Sequence, residues 1–383
     1  MHFPVIKYLS LVFLLAVACN NRSGRQDRSG SVKRDSGVEY AHRFNIEKKD
    51  GYSVLTIFDP WQGAVDVTRI YYLVKRGNKI PEGIDTSAVI FVPVKKIICM
   101  STTYLSMITA LGEAESIKGI SGTDLIFDEK IKKQVIRGEV ADVGYEDNLN
   151  KELVIQIAPD LIMVYGVGSE AEGYLNKIKE LGFRILFNAD YLETDPLGKA
   201  EWIKVFGALF CNEKKADDLF YSIAKEYNSI KSLIVGETRN RPEVLLGFPW
   251  KGTWFISPGN SFMNRLISDA GGNYLWKDTM SDISMPFGIE NVYIKAMDAE
   301  YWLNIGSIKS KGEITAIDYR LGDLPVFKNG KMFNNNNRVA ISGGNDYWES
   351  GAIRPQIILK DIAAILHPEL FQGYELFYYR RIN

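Results

Sequence analysis

The sequence predicts an α/β protein: two lobes with central parallel sheets, joined by one long rigid helix and preceded by an antiparallel β meander. Three observations carry this. Buried-type strands alternate with helices over 95–198 and again over 237–383. Between these runs, 199–210 and 213–235 contain no proline. The second stretch places Ala216, Leu219, Phe220, Ile223, Tyr227, Ile230 and Leu233-Ile234 at helical spacing. Ahead of both lobes, 38–94 alternates polar and apolar residues in short runs.

In the meander the runs are Tyr52–Phe58, 70–74 and 88–92. Asp59-Pro60, Arg76-Gly77-Asn78 and Pro81-Glu82-Gly83 separate them as turn signals. The first lobe opens with a strand at 96–100, a polar turn Ser101–Tyr104, and a helix Leu105–Leu111 closed by Gly112. A strand starts at Ile117; a helix at 149–157 ends at Pro159-Asp160; a strand follows at 161–165. A helix at 174–181 with Gly182 as its cap and a strand at 184–187 complete this lobe. The linker spans 199–236, and its 23-residue helix would reach about 34 Å, enough to cross a domain. In the second lobe, strands at 243–248, Thr253–Ile256, 301–305 and 339–342 alternate with helices at 262–270 and Ile289–Ala296. Gly271-Gly272 caps the first of these helices, and a terminal helix Pro355–Leu366 is begun by Pro355 and followed by Pro368.

The N-terminus is of another kind. Residues 1–18 carry Lys7 and then an apolar run from Leu9 to Ala18, interrupted in polarity only by Ser10. This run is too short to span a bilayer and reads as a secretory signal. It ends in Leu15-Ala16-Val17-Ala18-Cys19, which resembles a bacterial lipoprotein processing site with Cys19 as the lipidated residue. Residues 19–37 hold one hydrophobic side chain beyond Cys19, five Arg or Lys and two Asp, so they read as a flexible tether. The expected location is the periplasmic face of a bacterial membrane, held by a lipid anchor.

Composition narrows the function. With 46 Lys+Arg against 47 Asp+Glu, the chain has no general electrostatic pull toward nucleic acid. Its three His (His2, His42, His367) lie far apart, and its three Cys (Cys19, Cys99, Cys211) make no disulfide framework. No metal site, P-loop, GxSxG or GxGxxG is found, so neither an enzyme nor a cofactor is expected. Carboxylates such as Asp124, Glu146 and Asp346 have no spacing that marks an acid/base pair.

The two halves also repeat a phrase. Aligning Asn150-Lys151-Glu152 with Gly288-Ile289-Glu290 pairs Ala158 with Ala296 and Asp160 with Asp298. Each phrase is a short helix opened by a Glu, then a turn, then a buried strand. A Glu in the first turn suits the helix dipole by itself. Two matching acidic points on related lobes also suit a two-fold-symmetric basic partner.

Several segments resemble the periplasmic binding proteins of ABC importers for iron chelates and vitamin B12. They are Lys96–Tyr104 with Ala110-Leu111-Gly112 and Gly119-Ile120-Ser121; Asn150–Glu152 with Ala158–Ile162; Ile267 with Ala270-Gly271-Gly272 and Ile289-Glu290; and Asp346–Glu349 with Pro355–Leu359. The resemblance covers about 95–370. It implies two Rossmann-like lobes on one rigid helix, a ligand held in the cleft between them, and a monomer that meets a permease dimer and its ATPase. It implies that Glu152 and Glu290 meet Arg residues of the permease. The 38–94 meander departs from the compact family pattern, and the sequence assigns it no function.

Loops at the strand ends should line the cleft. On the first lobe these supply Ser101, Thr102, Tyr104, Asp124 and Tyr145; on the second, Phe248, Trp250, Trp254, Phe287, Tyr347, Trp348 and Arg354. Wide aromatic faces suit a large rigid metal chelate. A corrinoid suits an aromatic, weakly charged cleft, while an anionic ferric siderophore calls for cations such as Arg354 and Lys251. Haem ranks third, with Tyr145 or Tyr347 as its ligand. The Trp residues that precede the docking Glu by six positions in B12-binding relatives are Glu146 and Ser284 here. A binding or scaffold lipoprotein without a permease is the alternative reading.

Overall fold

The computed structural model describes residues 37–145, 148–166, 178 and 182–383. The signal, Cys19, most of the tether, Glu146 and the helix expected at 174–181, apart from Ile178, lie outside the described residues. Residues 36–383 form one compact unit.

The N-terminal sheet contains β1 (Phe44–Lys49), β2 (Tyr52–Phe58), β3 (Thr68–Lys75) and β4 (Val89–Val92), in that spatial order. The first three pair antiparallel. Here the expected all-antiparallel meander is corrected, because β4 pairs with β3 in parallel. The connection over 76–88 has the length that a parallel crossover needs.

The first lobe follows as β5 (Ile97–Cys99), α1 (Leu105–Leu111), β6 (Ile117–Ile120), α2 (Glu129–Ile136), β7 (Ala141–Asp142), α3 (Lys151–Ile157), β8 (Leu161–Val164) and β9 (Ile185–Phe187). Its sheet runs β7-β6-β5-β8-β9, all parallel. Strand alternation sends Ile98, Ile162 and Val164 to one face of this sheet and Ile97, Cys99, Leu161 and Met163 to the other. Local chemistry sets the helix ends. Gly112 closes α1 at φ 88°. Asp128 accepts from the amides of Lys130 and Ile131 at the start of α2, and Asn150 from Leu153 at the start of α3.

Three helices lead across: α4 (Pro196–Glu201), α5 (Ile203–Phe210) and α6 (Glu213–Glu237). The 25 residues of α6 span about 37 Å. Its buried face is Ala216, Phe220, Ile223, Ala224, Tyr227, Ile230 and Ile234, which is the face the spacing predicts. Leu233 is exposed instead.

The second lobe holds β10 (Glu243–Leu246), β11 (Thr253–Ile256), α7 (Phe262–Asp269), β12 (Asn273–Tyr274), β13 (Met285–Gly288), α8 (Ile289–Ala296), β14 (Tyr301–Leu303), α9 (Lys311–Ile317), α10 (Pro325–Lys328), β15 (Met332–Asn334), α11 (Asp346–Glu349), α12 (Pro355–Leu366) and β16 (Arg380–Arg381). The main sheet runs β12-β10-β14-β15-β16, with only β16 antiparallel. β11 and β13 form a separate antiparallel pair. The long helix α6 packs on α5 and on α12, so it touches both lobes. Asp269 of α7 fixes it further, accepting from Tyr227 at 2.8 Å and pairing with Lys231 at 2.9 Å. The strand expected at 339–342 is absent. Val339 bridges only to Asn345, and the chain turns tightly between them through Gly343 at φ 105°.

Buried carboxylates hold distant segments together by collecting backbone N–H groups. Glu201 accepts from the amides of Glu39, Tyr40 and Ala41 at 2.8–2.9 Å. Glu193 accepts from His42 and Arg43 and from the Trp202 indole. Asp361 takes the amides of Phe377, Tyr378 and Tyr379 and the Tyr374 hydroxyl. Glu349 of the second lobe takes the amides of Phe127 and Asp128 of the first at 2.7 and 2.8 Å. Burial pushes the carboxyls of Glu193 and Asp361 above their usual range and that of Glu349 from 4.5 to about 7.

Two predictions follow from these carboxylates. Glu201→Ala strands three amides and should lower the unfolding free energy by roughly 2–4 kcal/mol in denaturant titration; a loss below about 1 kcal/mol would mean that water replaces the carboxylate. For Glu349, the folded protein binds a proton that the unfolded chain releases between pH 4.5 and about 7. Its contribution to stability therefore rises as pH falls through that window. Relative to Glu349→Gln, the wild type should gain up to about 3 kcal/mol between pH 8 and pH 5. A difference that is flat with pH would show that the carboxyl titrates normally.

Candidate functional site between the lobes

Each parallel sheet reverses its strand order once, between β5 and β8 in the first lobe and between β10 and β14 in the second. At such a reversal the loops leave the carboxyl ends in opposite directions and open a crevice. In the first lobe the loop after β5 is Ser101–Tyr104 and the loop after β8 begins Tyr165-Gly166. In the second, Gly247–Trp250 follows β10 and Asn304–Gly306 follows β14.

The residues expected on the first-lobe wall differ in exposure. Ser101 and Thr102 are half-buried, and Ser101 caps the short turn by accepting from the Thr103 amide. Asp124 is exposed, and Tyr145 is exposed with its hydroxyl lying over Gly122, where a Cβ would collide with it. Tyr104 is a correction: it is fully buried against Phe206 and does not face the cleft. Its hydroxyl and the Asp190 carboxyl oxygen Oδ2 are buried without hydrogen-bond partners among the described residues. Burial raises the pKa of both groups.

The N-terminal sheet, left without a role by sequence, reaches this wall. Trp61, between β2 and β3, packs on Phe187 at the end of β9, and the Gln62 amide donates to the Gly166 carbonyl. A Cβ at Gly166 would meet Trp61. Tyr191 donates to the same carbonyl, and its ring stands edge-on to Tyr165. No sequence signal marks Trp61, Tyr165 or Tyr191, because their meeting joins the meander to the ends of β8 and β9.

On the second lobe the aromatics divide into floor and surface. Trp254 is fully buried and donates its indole N–H to the Leu246 carbonyl at 3.0 Å. It stacks on Trp302, and Phe248 stacks on Trp302 in turn. Trp254 is therefore core, as is Tyr347, whose hydroxyl donates to the Met263 sulfur. Both correct the expectation that they contact ligand. Trp250 and Trp348 are exposed, and Phe248 and Phe287 are half-buried. Lys251 lies 4.5 Å over the Trp250 ring. The side chain of Arg354 is exposed, with no hydrogen bond or ion pair among the described residues.

The lobes meet on one flank. The segment from Ser101 to Tyr104 packs against α11, which carries Tyr347 and Trp348. Beside this contact a cavity of about 490 Å³ is lined from the first lobe by Ser106, Thr109 and Phe127–Lys130, and from the second by Arg338, Asp346, Glu349 and Arg354. Of the expected cleft residues, only Arg354 lines it.

Glu152 and Glu290 stand in the first turns of α3 and α8, both exposed. They differ in their surroundings. Arg320 pairs with Glu290 at 3.2 Å and also with Asp318 at 2.6 Å. The amide of Glu290 itself and Arg320 hold its carboxyl below the usual range. Glu152 has no ion pair among the described residues.

The division of the aromatics is testable by truncation. Trp254→Ala should cost about 3–5 kcal/mol of stability by opening the stacked floor. Trp250→Ala should stay within about 0.5 kcal/mol of the wild type. Equal losses in thermal and denaturant unfolding would refute the assignment of floor and surface.

Comparison with known proteins agrees with this fold. Residues 97–318 match the model of the periplasmic binding protein family. A periplasmic haem-binding protein of Pseudomonas aeruginosa superposes with a TM-score of 0.58 at 14% identity, covering 76% of this chain and 98% of that one. A possible iron-binding, periplasmic solute-binding protein of Staphylococcus epidermidis gives 0.56 at 19% identity, covering 72% and 99%. An uncharacterised lipoprotein of Methanocaldococcus jannaschii is 28% identical over 368 residues, 90% of this chain and 85% of its own. With more than half of its length matched and both sheets in place about one long helix, the chain belongs to the periplasmic binding protein family.

Proposed function

We propose that the protein is the solute-binding lipoprotein of an ABC importer, anchored through Cys19, and that it captures a metal chelate between its lobes for delivery to a permease dimer and its ATPase. The observation that carries this reading is the pair of switch points. Loops from the carboxyl ends of both parallel sheets supply Ser101, Tyr145 and Tyr165 from one side and Phe248 and Trp250 from the other, and β13 of the separate antiparallel pair adds Phe287. Exposed aromatics among them suit a large, rigid, partly apolar ligand. Structural neighbours described as iron- or haem-binding proteins favour an iron chelate over a corrinoid. Arg354 and Lys251 supply cations for an anionic chelate.

Titration with ferric catecholate and hydroxamate chelates, haemin and cyanocobalamin tests the ligand, read by tryptophan fluorescence and equilibrium dialysis. Sub-micromolar binding of an iron-containing compound, weakened at least tenfold by Trp250→Ala, is the expected result. Binding of cyanocobalamin alone would return the assignment to a corrinoid, and binding of none would sink the chelate reading. Docking is tested separately. The double variant Glu152→Lys/Glu290→Lys should keep its ligand affinity and lose stimulation of the permease-bound ATPase; full stimulation would remove the two Glu from the docking role.

A further inference from the structure

The flank where the lobes touch is built from more than packing. Glu349, 3% exposed, places both carboxylate oxygens on backbone amides of the opposite lobe, Phe127 and Asp128. Arg338 lies 5.1 Å over the Phe127 ring and is itself held by Asp346 at 2.6 Å. Gly344 fits so closely against the first lobe that a Cβ there would stand 2.6 Å from the carbonyl oxygens of Leu125 and Ile126. All the first-lobe groups belong to the loop after β6, and all the second-lobe groups follow β15. Both loops leave the carboxyl ends of their sheets, where the cleft opens.

We propose that Glu349, supported by Arg338 and Gly344, is a positioning residue that clasps the Leu125–Asp128 loop and sets the width of the cleft before any ligand arrives. The proposal rests on the capture reading only for the importance of that width. A bidentate carboxylate between two amides fixes distance and direction together. Parting the lobes would strand both amides and return the carboxylate to water.

The clasp is also proton-linked. The charged groups that share its surroundings are Asp128, Glu129 and Lys130 from the first lobe and Arg338, Asp346 and Arg354 from the second. Helix α1 contributes only Ser106, Thr109 and Ala110 to the cavity. On α4, Glu201 is turned to the 39–41 amides and Lys199 to the Phe262 ring; on α12, Lys360 lies over Tyr374 and Asp361 holds the 377–379 amides. Burial, aided by Asp128 and Asp346, makes the clasped carboxyl easier to protonate than a solvated one. Closing the clasp therefore takes up a proton near neutral pH, and the closed form gains as pH falls.

The test needs no ligand, so its failure and that of the capture reading are distinguishable. Spin labels are placed at Ile136 and Ile294, exposed on the first and second lobes, through Ile136→Cys and Ile294→Cys with Cys211→Ser, in the chain from residue 36 onward. Distances between them are measured at pH 8.5 and pH 5.5. The parent should show a longer component at pH 8.5 that shrinks at pH 5.5. Glu349→Ala should show it at both pH values, and Glu349→Gln should not respond to pH. Gly344→Ala wedges the same contact without touching the carboxylate and should lengthen the distance too. If Gly344→Ala and every folded Glu349 variant reproduce the parent distribution at both pH values, the clasp does not set the width.

Discussion

The structure depends on carboxylates that have left water to gather backbone amides. An unpaired buried amide is expensive, and one carboxylate can satisfy two or three of them. Glu201 and Glu193 fasten the entering chain to the first lobe, Asp361 fastens the segment leading into the C-terminal strand to the last helix, and Glu349 joins the lobes. Asp361 reaches amides 16–18 positions along the chain, whereas Glu193 and Glu201 reach amides 150–162 positions away and Glu349 one that is 222 away. The sheets give each lobe its body, and these side chains decide how the loose segments are held against it.

Much of the fold was legible because it follows from periodicity and punctuation. Gly112 ends α1, Pro355 begins α12, and the buried face of α6 falls on the predicted residues with few departures. The misreadings have a common physical origin. β4 joins β3 in parallel, although alternation alone cannot tell parallel from antiparallel partners. The 339–342 run has strand-like residues but finds no neighbouring strand, so it turns back on itself.

The site was legible in its loops and less so in its side chains. Placing loops at strand ends selected Ser101, Tyr145, Phe248 and Trp250, which are half-buried or exposed. It also selected Tyr104, Trp254 and Tyr347, which point inward, because an aromatic near a strand end has the same composition whether it forms the floor or the surface. Glu349 escaped notice for the opposite reason. A Glu beside a Trp reads as solvated, and only the approach of a loop from the other lobe makes it a buried acceptor. The two outer Glu residues match in sequence yet differ in setting: Glu290 already has a cation partner in Arg320, so any basic partner must displace or share it.

The grip on 39–43 has a consequence for the order of events in folding. The amides of this stretch wait for Glu193 and Glu201, which lie 150–162 residues later in the chain. During synthesis from the N-terminus, the segment therefore emerges early and is secured late. Until Glu193 and Glu201 are in place, neither carboxylate holds the start of the N-terminal sheet to the first lobe. Such long closures slow the search for the native arrangement. The entry to the N-terminal sheet is thus sealed by the middle of the chain, and an interruption before residue 193 leaves it without either carboxylate.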